Sequence, residues 1–348
     1  MAMCIRWIIL IAILITGNLY LLGVNSKLPK IGKVLVPLFT LTVPLAGYGG
    51  YEAYINHIEI KDAEVDLTVY EPFKRGSKAA SLEEASSFSV SGNVPRMDGA
   101  TALYPVIASF VQAVYTEGDY PHDNTSQSPV AASKTDVAYV RLAKRDVDII
   151  FAAGPSQDQK SDMKNLEMTP IGKEAFVFFV HKSNPVDSLT IEELQGIYSG
   201  KITSWNEVGG SDKEIIAFQR PEGSGSQTGL QNMMGEIPIM EPPADQQVDG
   251  MGGVIEKASD YRNYRNAIGF SYRFFATNMV DSKGIKLLKI DNVEPDTEGI
   301  QSGNYPLTRE FYAVTNGTNN PQVEPFIDWI TSGQGQELIQ KTGYVPIR

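Results

Sequence analysis

Cysteine is almost absent from this chain of 348 residues, with Cys4 standing alone. No intrachain disulfide can form, and no cluster of thiolates can hold a metal. Histidine is nearly as scarce. His57, His122 and His181 lie apart, without the His-Glu-x-x-His spacing of a zinc site, and each reads as a surface or hydrogen-bonded residue. Positive charge is short as well: 30 Lys and Arg face 41 Asp and Glu, a net of −11. That balance excludes a nucleic-acid binder, whose affinity would rest on a cationic face. Two phosphate and acyl-transfer signatures are also missing, the Gly-x-x-x-x-Gly-Lys-Ser/Thr loop and the Gly-x-Ser-x-Gly elbow. With neither a metal constellation nor a nucleophile–base pair in view, an enzyme such as a phosphatase is not indicated, and no cofactor is expected.

Long uncharged runs are what the N-terminus does have. Residues 7–24, WIILIAILITGNLYLLGV, carry no charge over 18 positions, enough to cross a bilayer core. A second run, residues 34–51, contains Pro37, Pro44, Gly47, Gly49 and Gly50, breakers that membrane spans tolerate better than soluble helices do. Lys27, Lys30 and Lys33 lie between them. The positive-inside rule puts that loop in the cytoplasm and both chain ends outside. Residues 1–56 carry a net +3, so with the whole chain at −11 the remainder carries −14. A transmembrane hairpin over residues 1–55 is therefore expected to hold an acidic body on the extracellular side of the cell membrane. The alternative is a cleaved signal peptide followed by a buried apolar segment, although the first run lacks a small-x-small cleavage site. Cys4 precedes the run and cannot be a lipoprotein's acylated cysteine.

Residues 56–86 are polar and weakly patterned, and read as a tether with a short strand near Val65–Val69. Beyond them, apolar runs of strand length alternate with amphipathic stretches, the pattern of an α/β fold. Strands are expected at Phe88–Val90, Val147–Ala153, Glu174–Lys182, Glu214–Arg220, within AIGFSYRFFA and at FYAVTN. Helices are expected in TALYPVIASFVQAVYTEG, SKTDVAYVRLAKRD and QTGLQNMMG, with a helical pair at the C-terminus. Thr190 and Glu193 form a capping box for a further short helix.

One stretch, RPEGSGSQTG (Arg220–Gly229), stands out between a strand and a helix. The first N–H groups of a helix lack intrahelical partners, and the helix dipole adds partial positive charge there. Gly223 and Gly225 allow close backbone approach, Ser224, Ser226 and Thr228 add hydroxyls, and Arg220 offers a planar fork for an oxyanion. The plain alternative is a serine-capped loop. Two further helix starts bear hydroxyls in the same setting: Thr101 after MDGA, and Ser133 and Thr135 in AASKTDVAY. Each alone is ordinary capping. Three together with an arginine point to a buried anion.

DGATALYPVIASFVQAVY, VDIIFAAGPS, LTIEELQGIYSGKITSWNEVGG and QRPEGSGSQT, in that order, resemble the phosphate-binding proteins of Pst-type ABC transporters over residues 88–348. The resemblance implies a two-lobed periplasmic-binding-protein fold of type II with two crossover strands. Lobe 1 would comprise residues 87–180 and 305–348, and lobe 2 residues 181–304. It implies capture of inorganic phosphate for delivery to ABC permease subunits. The family's ligand residues fall on Thr101 and Ala102, on the Ser133 to Thr135 region, and on Arg220, Ser224, Gly225 and Ser226. One departure stands out. The family's aspartate, which accepts the proton of hydrogen phosphate, falls on Ala153, leaving phosphate less favoured over sulfate. Asp148, inside the strand, reads as structural. The double span also leaves open a sensor or surface interaction module with the same fold.

Overall fold

The computed structural model describes residues 65–242 and 265–347, residue 281 apart, together with Pro29 and Thr42. The chain divides into two compact units, Met1–Lys61 and Asp62–Arg348. The expected spans at 7–24 and 34–51 lie outside the described residues but for Thr42. Among the described residues, no helix is long and apolar enough to cross a membrane.

The second unit is organised by one sheet. Its first strand is β1 (Met97–Gly99), followed by helices α1 (Tyr104–Val114) and α2 (Thr135–Ala143), then β2 (Ile149–Ala153) and the short α3 (Gln157–Ser161). β3 (Leu166–His181) is 16 residues long. After it come β4 (Ser188–Leu189), α4 (Ile191–Tyr198), β5 (Ile216–Ala217), α5 (Gly225–Met234), β6 (Ala267–Tyr272), β7 (Ile285–Leu287) and β8 (Lys289–Ile290). The chain closes with α6 (Thr297–Ser302), β9 (Thr308–Asn316), α7 (Val323–Ile330), α8 (Gly333–Thr342) and β10 (Val345–Pro346). The strand order is β1-β2-β9-β3-β6-β5, with β7 and β10 also paired to β3 and β4 with β8 in a separate ribbon. β3 runs antiparallel to β9 from Leu166↔Asn316 to Ala175↔Thr308. It then changes partner, pairing with β6 from Phe176↔Tyr272 to Val180↔Ile268.

Side-chain alternation explains the layers around β2. Ile149 and Phe151 enter one core with α1, α7 and α8, where Phe110 meets Phe326 and Trp329 edge-on at 6.3 and 6.0 Å. Ile150 and Ala152 face the other way, onto Ala138, Tyr139 and Leu142 of α2. A strand buried on both faces needs a continuous apolar run, and IIFAA is one. The other large core gathers Phe176, Phe178, Tyr198 and Phe270 around the second half of β3, with Trp205 donating its indole N–H to the Asn266 carbonyl at 2.7 Å.

Four local expectations change. Val65–Val69 is not a strand; Leu67–Tyr70 forms a 3₁₀ turn capped by the Asp66 side chain, which accepts from the Thr68 N–H. Within the stretch read as a tether, Leu67, Tyr70 and Ala79 are buried in the core beside α1. Phe88–Val90 is irregular because its apolar groups are used for packing: Phe88 stacks on Phe326 at 6.2 Å. The expected strand Glu214–Arg220 narrows to β5, since its register with β6 covers only Ile216↔Ala267 and Ala217↔Ile268. The Thr190–Glu193 capping box is present with both hydrogen bonds.

Leu67→Ala should lower the unfolding free energy by about 2–4 kcal/mol, the cost of a cavity in a packed core. Urea denaturation reads this directly. A loss under about 0.5 kcal/mol would mean that this segment is only loosely attached.

Candidate functional site

Three helix starts gather around one cavity beside β2, β3 and β9. β1 ends on Gly99, where a Cβ would lie 2.7 Å from the Phe151 carbonyl oxygen and 2.5 Å from the Ile107 side chain. Glycine alone permits that approach. The chain then turns through the 3₁₀ segment Thr101–Leu103 into α1, and no side chain caps either start. Pro105 in the first helical turn sets the backbone without needing an N–H. Ala102 is buried, and its carbonyl accepts from the Tyr344 hydroxyl.

α2 begins at Thr135, again without a side-chain cap, after Lys134 takes φ +78°. The preceding Ser133 turns inward. Its N–H and hydroxyl both donate to the fully buried Asp98, at 2.8 and 2.5 Å, and Arg141 of α2 pairs with the same carboxylate. Asp98 thereby ties β1 to the α2 start. The quoted pattern MDGAT contains this residue, but its partners Ser133 and Arg141 lie 35 and 43 residues away.

α5 supplies the third start. Ser224 caps it, accepting from the Gln227 N–H at 3.2 Å. The Gln227 side chain reaches back, accepting from the Arg220 N–H at 3.0 Å. Arg220 is 93% buried and Glu222 is exposed. Ser226 is fully buried, and its hydroxyl has no hydrogen-bond partner. A buried hydroxyl left unpaired costs about 1–3 kcal/mol, which makes Ser226 a candidate donor to a guest at the α5 start.

The α5 and α2 starts touch. A Cβ on Gly225 would sit 3.0 Å from the Thr135 hydroxyl oxygen, and one on Gly223 3.6 Å from the Asp136 Cβ. Gln159 of α3 also donates to the Gly223 carbonyl at 3.5 Å, and Tyr272 to that of Gly225 at 3.3 Å. Ala102, Thr135, Gly225 and Ala153 line one cavity of about 30 Å³. A single water needs roughly 10–15 Å³ by that measure, so the space suits a guest of a few heavy atoms. Thr101, Ser133, Arg220, Ser224 and Ser226 lie in the same loops without lining this cavity. Asp148 stands at the other end of β2, accepting from the Arg96 N–H at 2.8 Å and from Thr318 at 3.0 Å, and does a structural job.

Glu174, Arg309 and Glu310 also line the cavity, and sequence patterning did not single them out. Glu174 sits where β3 changes partner. It accepts from the N–H groups of Ala175 and Phe274 at 2.9 and 3.1 Å, with Arg273 at 3.4 Å. Burial pushes its carboxyl up to about 7, against the opposing pull of Arg273. Its position inside the apolar run EAFVFFV gave no local signal.

Residues 86–334 match the family model described as a PBP superfamily domain. The chain is similar to the phosphate-binding protein PstS of Borreliella burgdorferi, 30% identical over 187 residues, 52% of this chain and 66% of that protein. It is also similar to the phosphate-binding protein PstS of Bacillus subtilis, 24% identical over 280 residues, 79% of this chain and 86% of that one. Among solved structures, a phosphate ABC transporter substrate-binding protein from Clostridium perfringens with bound phosphate aligns at a TM-score of 0.55. It is 26% identical and covers 72% of this chain and 98% of its own. An ABC-type phosphate transport receptor from Vibrio cholerae shares the fold at a TM-score of 0.54 and 22% identity, with the same coverage.

The raised Glu174 carboxyl makes stability pH-dependent. Between its usual value near 4.5 and about 7, the folded chain holds a proton that the unfolded chain releases. Stability therefore falls as pH rises through that window, by up to about 3 kcal/mol. Glu174→Gln should flatten the difference between urea denaturation at pH 5 and at pH 7.5. An equal slope in both proteins would contradict the assignment.

Proposed function

Starting from a chain that belongs to the PBP superfamily, we propose that it is a solute-binding protein that captures inorganic phosphate for import by an ABC permease. The observation that carries this reading is the meeting of the α2 and α5 starts, where Thr135 and Gly225 line one cavity and the buried hydroxyl of the adjoining Ser226 has no hydrogen-bond partner. A tetrahedral oxyanion there exchanges its water shell for backbone N–H groups, hydroxyls and a guanidinium. The likeness to proteins named for phosphate binding, and to one solved with phosphate, supports the choice of ion.

The roles follow from position. Thr101 and Ala102 offer N–H groups of the uncapped turn, and Thr135 offers its hydroxyl and the start of α2. Gly225 and Ser226 offer the start of α5, Ser224 shapes it, and Arg220 neutralises the charge. Ser133 acts through Asp98, holding the α2 start in place. Residues 87–180 with 305–348 form one lobe and residues 181–304 the other, joined through β3 and β9, and the ion binds as they close. No covalent step is needed and no cofactor takes part. A sulfate-selective site is the competing reading, favoured by Ala153 at the position expected for the family's aspartate, whereas the Glu174 and Glu310 carboxylates in the same wall favour an ion that carries a proton.

The N-terminal runs at 7–24 and 34–51 anchor the protein in the cell membrane, with the binding unit outside. The full chain should then sediment with membranes and resist alkaline extraction, whereas a chain lacking residues 1–55 should be released. Release of both forms by alkali would remove the anchor from the account.

Calorimetric titration of the purified chain tests the ligand. Phosphate should bind at micromolar concentration or tighter, and sulfate at least about tenfold more weakly. Ser226→Ala should weaken phosphate about tenfold, the scale of one hydrogen bond to a charged group, and Arg220→Ala by about a hundredfold or more. Tighter binding of sulfate would transfer the assignment to that ion. No binding of either would end the proposal.

A further inference from the structure

A second polar cluster lies outside the cavity just described. The turn Leu67–Tyr70 leads into Glu71, whose side chain is 97% buried. Its Oε1 accepts from the His122 N–H at 3.1 Å and faces His122 Nδ1 at 2.8 Å. Asp123 follows at the exposed rim. One ligand-type atom from each of Glu71, His122 and Asp123 lies within 4.8 Å of the other two. An independent group points to a guest at the same place. Tyr104 is fully buried and its hydroxyl has no hydrogen-bond partner, while its ring stacks obliquely at 5.3 Å from the His122 imidazole. Glu71 and Asp123 are near enough that their charges, after burial itself, hold the phenolic proton more tightly. Packed interiors rarely leave such a hydroxyl idle.

We propose that Glu71, His122 and Asp123 bind a divalent transition-metal ion of the zinc type, with the Tyr104 hydroxyl hydrogen-bonded to the ion's remaining water ligand. Three protein ligands with one open position are a usual zinc arrangement, and imidazole nitrogen selects against magnesium and calcium, which take oxygen. The ion takes the place of the proton shared by Nδ1 and Oε1. Two carboxylates and a neutral imidazole balance its charge. Lys74 is the positive group facing the cluster: it pairs with Glu71 Oε2, stands 3.8 Å from Asp119, and is half exposed on a flexible stem. It can therefore withdraw to Asp119 when the ion arrives. Glu71 and His122 are 51 residues apart, so the ion fastens the segment that enters the unit to the loop that follows α1.

The test uses the purified full-length chain, stripped with a chelator and titrated with zinc chloride by calorimetry. One saturable site at micromolar concentration or tighter is expected, and saturating zinc should raise the thermal midpoint by at least about 3 °C. His122→Ala should abolish both effects. Asp123→Asn, at an exposed position, should weaken zinc at least about tenfold and leave the metal-free midpoint unchanged. If His122→Ala fails to fold, Asp123→Asn decides. No saturable binding, or unaltered zinc affinity in Asp123→Asn, overturns the proposal, as does equal affinity for magnesium.

Discussion

The antiparallel pairing of β3 with β9 is the constraint on which this unit depends. β3 is long enough to serve two cores in turn, first beside β9 and then beside β6. The change of partner falls between Ala175 and Phe176, next to the one carboxylate, Glu174, that clasps backbone N–H groups from both sides of it. A buried carboxylate is expensive unless hydrogen-bonded, and these N–H groups together with Arg273 offset the cost. The same strands hold the cavity. Ala153 ends β2 beside Phe311 of β9, and Glu174 lies across from Arg309. The cavity therefore lies beside the point where β3 passes from one core to the other.

An acidic protein can bind an anion because local dipoles and donors decide, not the net charge of −11. Helix starts supply N–H groups that have no partners within their own helix. Two of the three starts here lack side-chain caps, at Thr101 and Thr135, and the third leaves the Ser226 hydroxyl idle. Glycine at 225 is what lets two of these starts meet. Any side chain there would press on the Thr135 hydroxyl. Asp98 ties β1 to the α2 start, since Ser133 and Arg141 both engage its carboxylate.

Local chemistry made much of this legible. The apolar run of β2, the periodicity of α1 and the Thr190–Glu193 capping box are decided by neighbours within a few residues, and each was visible in the chain. The three helix starts were visible for the same reason. What escaped depends on partners far along the chain. Leu67 and Tyr70 look like part of a polar tether until α1 is beside them. Ser133 reads as a free hydroxyl until Asp98, 35 residues earlier, is placed next to it. Glu174 is hidden in an apolar strand, and its N–H donor Phe274 lies 100 residues later. The pairing of His122 with Glu71 is of the same kind, and no spacing rule finds it.

The central claim, that the α2 and α5 starts cradle a tetrahedral oxyanion, is tested most directly by a crystal structure grown with phosphate. The account predicts density for one ion within hydrogen-bond distance of the Ser226 hydroxyl, the first N–H groups of α5 and the Thr135 hydroxyl. An ion bound elsewhere, with the Ser226 hydroxyl still unpaired, would contradict it.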